Sequence, residues 1–147
     1  MTRVGPRADG GGSDSTVSRP PSTAGDMASA LSLVKQGQEA LRQGDTVQAA
    51  ASFHRARELD PGNAEAVAGL GEVALAQGQV GDALVHLEAA VRVLPSSSRI
   101  HTLCGQAYLS VGKPRPAALA FKKALKLNPD NDAARKGYEE AAALGGE

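Results

Sequence analysis

Small and apolar residues return along this chain at two nested spacings. The shorter is helical: Ala49, Phe53 and Ala56 stand at i, i+4 and i+7, one face of a helix. The longer is a step of 34 residues. Pro61, Pro95 and Pro129 keep it, as do Gly37, Gly71 and Gly105, and Gly44, Gly78 and Gly112. Three more columns share the register: Ala49, Ala83 and Ala117; Phe53, Leu87 and Phe121; Ala56, Ala90 and Ala124. Six columns in one register over three units define an internal repeat.

Punctuation inside each unit predicts its elements. The glycines at 44, 78 and 112 each follow a helix-favouring run, and glycine takes the left-handed conformation that ends a helix. A second helix then runs to the proline, which cannot continue it and biases the preceding residue away from helix. The pattern predicts helices over 27–43, 46–59, 64–77, 81–93, 98–111, 115–127 and 131–143. That is an all-α solenoid of helix-turn-helix repeats with seven helices. Gly37, Gly71 and Gly105 fall within helices, where glycine costs roughly 0.5–1 kcal/mol relative to alanine. Three repeated costs imply a close helix contact that a side chain would block.

Composition divides the chain near residue 27. Residues 1–26 hold five glycines, three prolines and seven Ser or Thr, with only Met1, Val4 and Val17 as sizeable apolar groups. Such a segment cannot offset its backbone entropy by burial, and a disordered N-terminal tail is expected. Residues 27–147 form the predicted repeat domain. The start has no apolar stretch before a small-residue cleavage site, so no secretory signal is expected. No run approaches the length of a membrane helix. Cys104 is the one cysteine, which excludes an intrachain disulfide. Together these features suggest a soluble, cytoplasmic protein.

The columns resemble the tetratricopeptide repeat, a 34-residue family with a W-x2-L-G-x2-Y…A-x3-F…P pattern. The A-x3-F element reads Ala49 with Phe53, Ala83 with Leu87 and Ala117 with Phe121. The Leu-Gly pair stands as Leu70-Gly71, and the tyrosine as Tyr108. The tryptophan position is Leu33, Val67 or His101, and the Leu-Gly pair becomes Gln36-Gly37 and Cys104-Gly105 in the other units. The resemblance covers repeats at about 30–63, 64–97 and 98–131, with 131–143 as the helix that caps such arrays. It implies a right-handed superhelix whose concave surface is lined by each repeat's first helix, a surface that binds a partner's peptide or helix.

Carried over by register, that groove comprises Leu31, Val34, Gln38, Leu41 and Arg42 in the first repeat. The second contributes Glu65, Ala68, Glu72, Leu75 and Ala76, and the third Arg99, Thr102, Gln106, Leu109 and Ser110. Leu41, Leu75 and Leu109 form an apolar column beside a polar one of Gln38, Glu72 and Gln106, which suits peptide recognition. Packing of the leucines between helices is the alternative. One branch of the family clamps the C-terminal carboxylate of heat-shock chaperones with Lys, Asn and Arg. Those positions read Val34, Gln38, Gly69, Arg99 and Leu103, so only Arg99 keeps a suitable charge and that clamp is not expected.

Charge is balanced overall, 16 basic against 16 acidic residues, but unevenly placed. No acidic residue occurs between Glu88 and Asp130, and a basic patch of Lys113, Arg115, Lys122, Lys123 and Lys126 falls in that stretch. The asymmetry suggests an acidic partner or head-to-tail self-association, against the simpler reading of a solvated face. Lys122, Lys123 and Lys126 also suit the end of a helix dipole. Nucleic acid is disfavoured, since the patch has few aromatics for stacking and no recognised motif.

Catalytic chemistry finds little support. His101 and Cys104 share a helical face but fill packing columns, and two ligands make no zinc site. His54 and His86 read as surface or edge residues. No catalytic residue, metal or cofactor is predicted. The function expected is a protein–protein interaction module (adaptor, scaffold or assembly co-chaperone). The alternatives are a homo-oligomerising subunit and a nucleic-acid-binding repeat protein.

Overall fold

A computed structural model describes residues 22–145. Seven helices follow one another: α1 (Ala24–Arg42), α2 (Thr46–Leu59), α3 (Ala64–Ala76), α4 (Val80–Val93), α5 (Ser98–Ser110), α6 (Pro114–Leu127) and α7 (Asp132–Ala143). Every predicted helix is present. The one boundary that differs by more than a residue is the start of α1, three residues earlier than expected. Thr23 accepts a hydrogen bond from the Asp26 amide, and Asp26 accepts one from the Thr23 amide, a closed capping box. The expected disordered tail thus ends before Ala24, and its residues 1–21 lie outside the described ones.

The repeat signals act through capping. Gly44, Gly78 and Gly112 have φ of 80°, 78° and 73°, the left-handed turn between the helices of each pair. Asn63, Ser97 and Asn131 are 34 apart and cap the first helices, each side chain accepting from the amide three residues on.

Consecutive helices pack against one another throughout the array. The first helices α1, α3 and α5 also approach their equivalents closely, ending on α7, whereas the backbones of α2, α4 and α6 do not approach one another. The array therefore closes on the side of the first helices and opens on the other. Its core is built largely from alanine around four fully buried large side chains: Phe53, Leu87, Ile100 and Phe121.

Glycine decides where the rings go. A Cβ on Gly37 or Gly69 would lie 2.7 or 2.4 Å from the Phe53 ring, and one on Gly105 or Gly137 would lie 2.6 or 2.3 Å from that of Phe121. Each phenylalanine is thus sandwiched between glycines of two neighbouring first helices. At the corresponding central site, Gly71 faces Leu87, where a Cβ would stand 2.7 Å from Leu87 Cγ. The second glycine is replaced there by Leu103, buried in the same cluster as Leu87. The smaller side chain sits where one of its two glycines has become a leucine.

Candidate partner-binding groove

Six of the fifteen register-predicted groove residues surround one open hollow of about 560 Å³: Gln38, Leu41, Arg42, Glu72, Ala76 and Arg99. They come from α1, α3 and α5, the helices of the closed side. Leu31, Gln106 and Ser110 are exposed on the same helices, and Glu65, Leu75 and Leu109 are half-buried. Leu41, Leu75 and Leu109 each pack partly against a core cluster, so the column serves packing as well as surface.

Three predicted groove positions present no surface. Val34, Ala68 and Thr102, one column of the repeat, are buried. The Thr102 hydroxyl is also spent internally: it donates to the Ser98 carbonyl at 2.9 Å and accepts from Asn131 Nδ2 at 2.9 Å. Asn131 Nδ2 also donates to Ser98 Oγ at 2.8 Å, and that hydroxyl donates to the Ala124 carbonyl at 2.8 Å. This polar knot pins the capping helix to the third repeat. A register count cannot separate such a floor position from a lining one.

Electrostatically the groove is self-compensated. Arg99 donates to Glu65 at 2.7 Å and to Glu72 at 2.5 Å, bridging two first helices. Arg42 pairs with Glu39, whose carboxyl is held below its usual pKa chiefly by that hydrogen bond. Of the five clamp positions, Val34 and Leu103 are buried, Gly69 abuts Phe53, and Arg99 is committed to two carboxylates. Gln38 alone faces the hollow unencumbered by charge.

The basic patch lies elsewhere. Lys113 caps α6 from its N-terminal side, and Arg115, Lys122, Lys123 and Lys126 lie on α6 itself, a second helix, all exposed. They belong to the layer of second helices and line no part of the hollow.

The Cys104 thiol and the His101 imidazole are packing groups, whereas His54 is exposed and His86 half-buried. Burial pushes the Cys104 thiol up to about 11, so it stays protonated at neutral pH. His101 Nε2 lies 2.8 Å from the Pro95 carbonyl, which only accepts, so that nitrogen carries the hydrogen. Among the described residues no three His, Cys, Asp or Glu side chains gather as metal ligands. No described helix is long and apolar enough to cross a membrane.

Fold and groove together define a helical-repeat array with a lined inner surface. The tetratricopeptide repeat family model matches residues 40–107. The chain is 28% identical over 106 residues to the Hsp70-Hsp90 organizing protein of Triticum aestivum, covering 72% of this chain and 18% of that protein's length. Among solved structures, the Thermobaculum terrenum O-GlcNAc transferase mutant K341M matches with a TM-score of 0.77 at 28% identity, over 81% of this chain and 23% of that one. The first tetratricopeptide domain of Spaghetti (RPAP3), bound to the HSP90 peptide SRMEEVD, matches with a TM-score of 0.75 at 19% identity, over 82% and 96% of the two chains. Residues 40–107 thus carry tetratricopeptide repeats, and the array has the fold of solved tetratricopeptide domains.

Proposed function

We propose that the chain is a protein-interaction module that holds an extended or helical segment of a partner in the groove of α1, α3 and α5. The observation that carries this is the hollow of about 560 Å³ where apolar Leu41 and Ala76 meet polar Gln38, Glu72 and Arg99. Apolar surface with a few fixed hydrogen-bonding groups is the chemistry of peptide recognition. The partner segment differs from the chaperone peptide on the RPAP3 domain, because the clamp positions lack its charges and Arg99 is already neutralised. Binding rather than catalysis fits a chain whose one cysteine is buried and protonated. A cytoplasmic address fits that unpaired thiol.

Ala76 is the position for a test, since it is exposed in the hollow and outside the core. Affinity capture with mass spectrometry would compare the native chain with Ala76→Arg, whose long side chain fills the hollow. Partners should be lost from the variant while its melting temperature is unchanged. Equal capture by both proteins would rule out the groove as the binding surface.

A further inference from the structure

The backbones of α4 and α6 stay apart, and a crevice opens between them on the outer face, floored by α5. The floor is His101, Cys104 and Tyr108, which fall on the Trp, Leu and Tyr of the repeat pattern. The first two are smaller than the residues they replace, and the space they leave is not filled from either wall. One hollow of about 340 Å³ is continued by another of about 350 Å³, the two sharing Val91, His101 and Lys123. The apolar walls remain wet: Leu119 is 57% and Leu127 44% exposed.

The rim is cationic. Arg92, Lys123 and Lys126 border the two hollows, all three are exposed, and none joins an ion pair among the described residues. The one carboxylate on the lining, Glu88, accepts the Tyr108 hydroxyl at 2.7 Å. An apolar trough with unpaired cations on both walls, Arg92 on α4 and Lys123 and Lys126 on α6, complements a segment with apolar side chains on one face and carboxylates beside them. The trough follows α6, whose 14 residues span roughly 21 Å, the length of a matching helix. No sheet edge is present among the described residues to add a strand, which leaves helix-in-groove docking as the suitable mode.

We propose that this outer crevice is a second docking site, separate from the groove, for an acidic amphipathic helix of a partner protein. It stands or falls independently of the groove. The chain's own residues 1–21 do not fit, carrying Arg3, Arg7 and Arg19 against Asp9 and Asp14 with few apolar side chains.

The test is an amide NMR titration of the full chain with two synthetic helical peptides. Both place leucines at i, i+4 and i+7; one carries glutamates elsewhere, the other lysines. The acidic peptide should shift the amides of Val91, Cys104 and Leu119 and bind at least tenfold more tightly than the basic one. Lys123→Glu with Lys126→Glu should weaken it tenfold or more, Leu119→Asp should do the same, and Ala76→Arg should leave it unchanged. All of these positions but Cys104 and Val91 are exposed, and unchanged melting temperatures would confirm that the variants are folded. The proposal is overturned by shifts confined to the groove, by no shifts, or by equal binding of both peptides. It is also overturned if the same amides shift on dilution without peptide, which would assign the crevice to a second copy.

Discussion

Arg99 and Glu65 hold the same position in consecutive repeats, 34 residues apart, and their side chains meet at 2.7 Å. A column that carries opposite charges in neighbouring units becomes a cross-strut between them, and Glu72 completes it from about two turns further along α3. The strut removes the one cation that the clamp positions retain.

Its energetic contribution should be small. Arg99 side-chain exposure is 39% and that of its partners 35% and 34%, so solvent screens the pairs. Arg99→Ala is expected to cost less than about 1 kcal/mol in urea unfolding. The loss should shrink further in 1 M salt. A loss of several kcal/mol that survives salt would mark the strut as structural. Because two carboxylates are then left beside the hollow, the variant should also bind cationic peptides better than the native chain does.

Thiol chemistry reports on packing around α5. With the Cys104 thiol at about 11, roughly one molecule in a thousand carries a thiolate at pH 8. Ellman's reagent should therefore react far more slowly with the native chain than with the chain in guanidinium, where one thiol titrates promptly. Equal rates would mean that α5 is not sheltered by α4 and α6.

His86 gives the fold a dependence on pH. Burial chiefly, with Arg57 adding to it, lowers its pKa below the ordinary histidine value of 6.5. Below about pH 6.5 the unfolded chain therefore binds a proton that the folded chain resists, and stability falls as the pH drops toward the folded value. Above that window both states are neutral there and the residue contributes no slope. Urea midpoints between pH 5 and 8 should fall at the acid end, and His86→Gln should flatten that part of the curve. An unchanged slope in the variant would place the titration elsewhere.

Much of this was legible in the residues, because capping and turn chemistry are local. The 34-residue columns give the helices to within a residue from Thr46 to Ala143, and Asn131 caps α7 as its place before the closing helix suggests. The start of α1 was obscured by composition: a polar, glycine-bearing stretch reads as tail, although Thr23 and Asp26 have the spacing of a capping box. Groove lining was only partly legible, because burial of Val34, Ala68 and Thr102 depends on how closely neighbouring repeats approach. The charge bias of the third repeat was visible, but its side of the array follows from α6 being a second helix. The packing role of Gly69 and Gly137 is not legible as a repeat column, because the central member of that column is Leu103.

That exception yields a sharp prediction. Phe53 and Phe121 each lie between two glycines, whereas Leu87 has Gly71 on one side and Leu103 in the same cluster. Glycine-to-alanine changes in helices normally gain up to about 1 kcal/mol. Gly69→Ala and Gly137→Ala should instead destabilise, by about 1–3 kcal/mol, because each Cβ would meet a fully buried ring closer than 2.5 Å. At the central site Leu87→Phe should be similarly costly through overpacking. Leu103→Gly alone should cost about 2–5 kcal/mol, through the cavity it opens and its helix penalty. Combined, the ring would occupy the space that the leucine vacates, as in the flanking repeats. The double variant should then be more stable than the sum of the single losses predicts, by at least about 1 kcal/mol in a denaturant double-mutant cycle. Simple additivity would show that side-chain size at position 87 is not set by position 103.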